Sequence, residues 1–421
     1  MNASPALQTG GSVAVVGAGV VGLCTALQAQ RQGYRVTLID RDAPGKGASF
    51  GNAGYLATEL IDPLANAKTL RGALPMLLDP HGPLALPLAY LHRSLPWLAR
   101  FVAAARPARV ARSQEGLRQL NRAAIGAWQR CLNDIGASEQ LCQSGYLLVW
   151  ESPERLEEAR AHGRYLKQWQ VACELIDAAR VAQLEPALAG TVSHALYFPE
   201  ACQVREPYQL CRQLFAAFEA RGGRFLQQAV DSISADTQQV RLQSAGAALS
   251  FDQAVICTGA WSKALLQGTG LAVPLEAERG YHLSMHSPAV SLNRPIGSAE
   301  RRFVISPLDS GLRAVGFTEF GGLALKPIRR RFTTLRRHSQ ALLPALVDPS
   351  LQNSEWMGHR PTLPDSLPVI DRHPRHARLL FAFGNQHLGL TQAAISAELA
   401  VSLMAGETPA IDPHPYRVDR F

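Results

Sequence analysis

The stretch Val13-Ala-Val-Val-Gly17-Ala-Gly19-Val-Val-Gly22 decides how the chain is read. Ser12 to Val16 is short, apolar and β-branched and predicts a buried strand. Val20 to Gln32 has helical periodicity, and Gly33 is placed to end that helix. Arg35 to Asp40 predicts a second buried strand, which completes a βαβ unit of about 30 residues. The three glycines have different work to do. Gly17 allows the tight turn out of the strand, Gly19 lets backbone approach a pyrophosphate, and Gly22 lets helix and strand pack closely. Phosphates then sit at the helix N-terminus beside Val20, where free N–H groups and the helix dipole favour anions. Asp40 lies at the end of the next strand, where a carboxylate accepts hydrogen bonds from a ribose and repels a 2′-phosphate. The motif therefore predicts a dinucleotide held by Gly17, Gly19, Val20, Gly22, Asp40 and Arg41, and it disfavours NADP. FAD and NAD share the motif, so it does not choose between them.

The length, 421 residues, predicts two or three domains, and the hydrophobic share of 47% is enough for sizeable cores. The formal charge of +8 is carried by Arg. Such a balance fits nucleic acid, an anionic surface or acidic substrates, and also a mere compositional habit; the last is the first reading, with no nucleic-acid partner expected. Cys24, Cys131, Cys142, Cys173, Cys202, Cys211 and Cys257 are scattered, with no CxxC and no zinc spacing. That fits buried thiols in a reducing, cytoplasmic setting and no metal site. Met1 to Gly10 shows no signal-peptide pattern. The longest apolar run, Pro83 to Leu91, holds two prolines and falls short of the roughly 20 residues a spanning helix needs.

Arg41 to Thr58 is a loop of small residues. Helices broken by prolines are expected from Leu64 to about Glu139, a strand at Tyr146 to Trp150, and a helix capped by Ser152 with Pro153 at its first position. A further helix runs from Pro207 to Gly222. Short strands are expected around Phe225, Val230 and Val240, then at Ala254 to Cys257. Strands alternate with turns from Leu275 to Phe317. A basic helix spans Ile328 to Leu343, and Leu379 to Phe383 is a last strand before a helix from Leu390 to Met404. No repeat or low-complexity tract stands out. The predicted fold is α/β: a Rossmann-like dinucleotide domain built from the discontinuous segments 12–62, 201–271 and 351–412. An α+β substrate domain with a largely antiparallel sheet would comprise 63–200 and 272–350.

Further segments carry a family resemblance. Gly47-Ala48-Ser49-Phe50-Gly51-Asn52-Ala53-Gly54 follows the second strand. Ala254-Val-Ile-Cys257-Thr258-Gly259-Ala260-Trp261 is a strand running into a Thr-Gly turn. Gly358-His359-Arg360-Pro361 and Phe383-Gly384-Asn385-Gln386-His387-Leu388-Gly389-Leu390-Thr391 lie near the end. Together they resemble the FAD-dependent amine oxidoreductases of the D-amino-acid oxidase superfamily, and within it the bacterial D-amino-acid dehydrogenases, over essentially the whole chain. The resemblance implies that Ser49, Asn52, Ala53 and Gly54 lie along the flavin, that backbone at Val230 meets the adenine, and that Thr258 and Gly259 flank the dinucleotide. Gly384, Gly389, Leu390 and Thr391 would deliver a helix N-terminus to the flavin pyrimidine, where its partial positive charge stabilises an anion. Many relatives have His at the position of Asn385, so that position departs from the family pattern. Arg360 would pair with a substrate carboxylate, a task that suits its planar fork. Tyr281, in Arg279-Gly280-Tyr281-His282, is the counterpart of a donor on the substrate-domain sheet. His387 is read either as lining the site or as a packing residue. No cysteine falls in the last segment, which implies a noncovalent flavin.

The implied reaction is oxidation of a free D-amino or cyclic imino acid, with D-proline or 4-hydroxy-D-proline the specific choice. Electrons would pass to a quinone or another respiratory acceptor. An oxygen-using oxidase, a 2-hydroxy-acid dehydrogenase and a non-catalytic dinucleotide-binding or electron-transfer subunit are the alternatives. Oligomeric state is left open. Pro83 to Arg112, with Arg93, Arg100, Arg106, Arg109 and Arg112, packs inward or lies on the inner membrane as a peripheral contact. Lys326, Arg329, Arg330, Arg331, Arg336 and Arg337 form a solvated face or meet acidic lipid.

Overall fold

In the computed structural model, which describes residues 10–421, the strand Ser12–Val16 lies inside a six-stranded sheet. The order is Val369–Arg372, Leu379–Phe383, Gln253–Ile256, Ser12–Val16, Arg35–Asp40, Arg224–Gln227. All neighbours are parallel except the antiparallel edge strand Val369–Arg372. Val13, Ala14 and Val15 are fully buried because both faces are covered, which is why this segment reads as a continuous apolar run rather than an alternating one. On one face the helices Val20–Arg31, Pro207–Ala220 and Gly389–Ala405 share a core with Val13 and Val15. On the other, Ile233, Val240 and Leu242 of a three-stranded antiparallel sheet pack with Ala14, Val16 and Ile256. Residues 1–10, where the signal-peptide reading was made, lie almost wholly outside the described residues.

The second sheet has nine strands. Eight follow in the order Gln352–Thr362, Glu276–His286, Gly311–Phe320, Phe303–Leu308, Ile296–Ser298, Tyr146–Trp150, His194–Phe198, Glu174–Asp177, and the short strand Leu84–Ala85 pairs at Thr318 and Glu319. This corrects the boundary drawn from sequence. The segment 351–362 belongs to this sheet, because Gln352–Thr362 pairs antiparallel with Glu276–His286 along its whole length, Glu278 opposite Arg360 and Gly280 opposite Gly358. The expected strand at Val230 is absent; Val230 follows the strand Arg224–Gln227 in a loop. Ser152 makes no side-chain cap, and Pro153–Arg155 forms a 3-10 turn before the helix Leu156–Gln168.

Prolines punctuate the helical region less than expected. Pro75 and Pro96 sit inside the helices Ala67–Leu78 and Leu88–Ala104, while Pro87 stands at the N-cap of the latter and Pro107 starts Pro107–Asp134. One stretch, Gln386–Ala405, is long and apolar enough to cross a membrane, a feature that the count of apolar runs passed over. It is mostly buried in the protein's own core, between Val20–Arg31 and Pro107–Asp134. In the basic helix Arg329–Leu342, Arg331 turns inward to the carbonyls of Gly82 and Leu84 with its guanidinium 5.0 Å from the Phe317 ring, and Arg336 faces Glu355 at 3.8 Å. Lys326, Arg329, Arg330 and Arg337 stay in solvent.

Candidate functional site

A continuous cavity of about 1150 Å³ runs between the two sheets. One end is bounded by the first βα turn. Gly17 has φ +106°, and a Cβ on Gly22 would lie 1.8 Å from the Gly17 carbonyl oxygen, so both glycines are demanded by backbone packing. Gly19 differs: a Cβ there would meet only Ser49 Oγ, at 3.5 Å, because its other side is open cavity. The helix that begins at Val20 has no side-chain cap; Val20 N–H donates to Ser49 Oγ at 3.0 Å. Asp40 accepts from Ala18 N–H (2.6 Å) and Asp42 N–H (3.0 Å) on the same rim, and burial pushes its pKa up. The Arg41 guanidinium stacks 4.1 Å over the Trp261 ring. Asn52 and Ala53 line the middle of the cavity. Arg313 fixes their loop to the second sheet by donating to the Asn52 carbonyl at 2.8 Å. Val230, Thr258 and Gly259 line the same wall.

A second uncapped helix N-terminus reaches the cavity at Gly389–Ala405, preceded by the turn Gln386–Leu388. Gly384, Gly389 and Leu390 line the cavity, and a Cβ on Gly389 would meet nothing within 4 Å. Two helix ends and a set of bare backbone surfaces converge on one space, so the residues present fit a dinucleotide with an anionic pyrophosphate and a ring system. Three residues assigned to the cofactor from sequence stand behind this wall instead. Gly22 packs on Gly17. Gly54 (φ +76°) accepts from Val204 N–H at 2.7 Å, and a Cβ there would lie 2.7 Å from the Val204 carbonyl oxygen. Thr391 Oγ1 accepts from Ala57 N–H at 3.0 Å. Asn385, the departure from the family pattern, donates to Gln392 Oε1 and Ser396 Oγ, both at 3.0 Å. Gln392 in turn donates to Asn121, so the amide is committed to a buried network.

Arg360 lies on the cavity wall as expected. Its Nη1 donates to Glu278 Oε1 (2.8 Å) and the Phe317 carbonyl (3.1 Å). Nε and Nη2 meet no protein acceptor among the described residues. The guanidinium lies flat against Gly280, where a Cβ would come 2.3 Å from Nη2. Glu278 also accepts from Thr318 (3.0 Å) and Thr362 (2.8 Å). Burial pushes the Glu278 carboxyl up, but the Arg360 charge and the hydrogen bonds from Arg360 and Thr362 hold it below the usual carboxylate range. His387 lines the cavity, and burial lowers its pKa to about 4, so it is neutral.

Tyr281 requires correction. Its side chain is fully buried on the far face of the strand, donating to Glu319 Oε2 at 2.8 Å and accepting from Ile328 N–H at 2.9 Å. Side chains alternate along a strand, so the neighbour His282 is the residue that lines the cavity. His282 is kept neutral by burial, has no partner at Nδ1, and meets the Trp356 ring edge-on at 4.8 Å. Sequence reading also missed Glu278, Trp356 and Glu59, all on the wall. Period-2 alternation back from Arg360 reaches Trp356, whereas Glu278 follows only once the partner strand is known. Nothing local marks the third.

A family model described as FAD dependent oxidoreductase matches residues 12–403. The chain belongs to this family of FAD-dependent oxidoreductases. It is 32% identical to the D-amino-acid oxidase of Bradyrhizobium diazoefficiens, covering 98% of this chain and 99% of that protein. It is 31% identical to D-amino acid dehydrogenase 2 of Ralstonia nicotianae over 97% of this chain and all of that protein. Among solved structures, glycine oxidase from Geobacillus kaustophilus superposes with TM-score 0.75 at 20% identity, covering 98% and 99% of the two chains, a likeness of fold. FAD is thus the cofactor, and the chain is an oxidoreductase.

Proposed function

We propose that this FAD-dependent oxidoreductase dehydrogenates a free D-amino acid or cyclic imino acid, with D-proline or 4-hydroxy-D-proline the preferred substrate, and passes the electrons to a membrane quinone. The observation that carries the reading is Arg360. It presents Nε and Nη2 to the cavity while Glu278 and the Phe317 carbonyl hold Nη1. Bound FAD supplies the chemistry, accepting a hydride from the substrate Cα. The protein supplies orientation: a bidentate pair with Arg360 fixes the substrate carboxylate, and neutral His282 and His387 add no charge that would compete for it. Arg41, Asp40 and the two helix ends hold the cofactor. Cys257, beside the cavity, has its thiol pushed up to about 12 by burial, so it stays protonated, which supports a noncovalent flavin.

The quinone reading is supported by an unusual surface. Residues 63–112 contain seven Lys and Arg against one Asp, a net +6 of the chain's +8. In the same segment Leu88, Leu95 and Val102 are 84%, 54% and 56% exposed. They are spaced by seven residues along Leu88–Ala104 and so form one line on the helix. Leu74 and Leu78 extend the apolar surface on the helix Ala67–Leu78. Apolar side chains flanked by Arg suit an anionic bilayer surface, which supports a peripheral membrane contact. Leu98, Phe101 and Met76 of the same helices line the cavity, giving a lipid-soluble acceptor an apolar way in. The test is anaerobic bleaching of the flavin by a panel of D-, L- and cyclic amino acids and 2-hydroxy acids. Reoxidation is then compared between oxygen and a short-chain quinone, with and without anionic vesicles. Bleaching by 2-hydroxy acids alone, or fast reoxidation by oxygen with peroxide release, would overturn the corresponding half of the proposal.

A further inference from the structure

The face of the second sheet that looks into the cavity has a hollow in it. On the paired strands Glu276–His286 and Gln352–Thr362, Glu278 lies opposite Arg360, Gly280 opposite Gly358, and His282 opposite Trp356. Side chains alternate along a strand, so these three pairs share one face. The middle pair has no side chains, and two neighbours fold over it from opposite ends. The Arg360 guanidinium covers Gly280, where a Cβ would come 2.3 Å from Nη2. The Trp356 indole covers Gly358, where a Cβ would come 2.3 Å from Cη2. Cβ positions of directly paired residues lie about 5 Å apart, so the indole edge is within about 10 Å of the guanidinium. The two groups nevertheless do not stack. In a planar guanidinium the Nε–Nη2 edge faces away from Nη1. Nη1 is bound to Glu278 and the Phe317 carbonyl, so the free edge looks away from Glu278. Along the strand, what lies beyond Gly280 on that side is the row of His282 and Trp356.

Trp356 cannot swing clear. Its six-membered ring backs on to the loop after the second strand, where a Cβ on Gly51 would lie 2.1 Å from Cε3. That loop is itself pinned, because Arg313 donates to the carbonyls of Phe50 (3.4 Å) and Asn52 (2.8 Å). The His282 ring meets the indole edge-on at 4.8 Å, and the Phe50 ring lies tilted at 6.0 Å. The indole is thus packed between the backbone of two glycines, one in the sheet and one in the loop that carries Asn52 and Ala53. An aromatic ring held by backbone on two sides is a rigid wall, and a rigid wall discriminates by size.

We propose that Trp356 is the specificity-determining residue of this site. The substrate carboxylate sits on Arg360 and the carbon skeleton lies against the indole, which admits a short chain or a five-membered ring and stops a longer side chain. This rests on the functional reading above and deepens it by assigning the side-chain subsite. The apolar face of the indole suits the methylenes of a pyrrolidine ring, and its π-electrons favour the positive charge of an amino group beside it. Trp356 takes no part in proton or electron transfer.

The test uses the flavin-loaded enzyme. Binding is read from the change in flavin absorbance with three carboxylates of increasing size: acetate, pyrrole-2-carboxylate and 1-naphthoate. Wild type should bind pyrrole-2-carboxylate best and 1-naphthoate worst. Trp356→Ala should weaken pyrrole-2-carboxylate by about 10- to 100-fold, strengthen 1-naphthoate and leave acetate nearly unchanged. Anaerobic flavin reduction should follow the same order: kcat/KM falls for D-proline and rises for D-phenylalanine. A merely structural loss lowers both together. Trp356→Phe, which keeps an aromatic ring against Gly51, should shift both rankings in the same direction by a smaller factor, and serves if the alanine variant does not hold flavin. Unchanged rankings of the carboxylates and of the amino acids in the variants would overturn this assignment alone. A wild-type flavin that ranks the carboxylates as stated but is bleached by no amino acid would overturn the functional reading and leave the indole wall to a different carboxylate substrate.

Discussion

Around Gly17–Gly22 the cavity wall is made of backbone, whereas around Arg360 it is made of charge. At the first end the useful groups are N–H dipoles and missing side chains, set in place by one turn between a strand and a helix. At the second, Arg360, Glu278, Thr318 and Thr362 come from three strands and hold one another. Where backbone packs on backbone, as at Gly17 and Gly22, the wall tolerates no added atom, because what it meets cannot rotate away. A wall of charge tolerates no lost atom, because each removal leaves a buried partner uncompensated.

The sharpest way to break that contrast is at two glycines. Gly22→Ala puts a Cβ 1.8 Å from the Gly17 carbonyl oxygen and should leave protein with little or no bound flavin and a strongly lowered Tm. Gly389→Ala meets nothing within 4 Å, so it should leave the Tm of flavin-free protein unchanged and weaken FAD binding measured by fluorescence titration. Equal Tm losses would mean that the two turns do not differ as described.

On the charged side, Arg360→Ala strands the buried Glu278 and should cost about 3–5 kcal/mol by denaturant unfolding. Affinity for a carboxylate inhibitor and kcat/KM should collapse together. The double variant Arg360→Met with Glu278→Gln should regain much of the stability and none of the activity. Persistence of carboxylate affinity in Arg360→Ala would remove the anchor from the mechanism.

Tyr281→Phe is the smallest effect. Glu319 keeps Arg279 at 2.6 Å but loses the phenol, which predicts a loss of about 1–3 kcal/mol in stability with KM unchanged. His282→Gln, one residue along, should do the reverse and alter KM with little change in stability.

The two walls also differed in how far the sequence disclosed them. The βαβ turn was legible because its demands are local: glycines, a strand, a helix and Asp40 lie within one short stretch. The charged wall arises from pairing between residues some 80 positions apart, as with Glu278 and Arg360. Resemblance supplied both Arg360 and Tyr281, and the second lies on the far face because alternation along Glu276–His286 has no visible phase until its partner strand is known. The same ignorance put 351–362 in the wrong domain. Asn385 looked like a damaged site and is the head of an amide network whose other members, Asn121 and Gln392, no local rule connects to it. Glu59 sits in a loop that only the tertiary structure brings against Tyr146 and the cavity.

The buried helix Gly389–Ala405 has a consequence for the order of synthesis. It packs on Val20–Arg31, synthesised more than 350 residues earlier, and the strand before it, Leu379–Phe383, is a neighbour of Gln253–Ile256 in the cofactor sheet. The dinucleotide half therefore cannot close until Gly389–Ala405 has emerged. Until then an apolar face of the nascent chain waits without its partner, the condition under which long chains collect chaperones and aggregate. Removal of the helix Gly389–Ala405 would therefore cost the unit that begins at Ser12, more than 370 residues upstream.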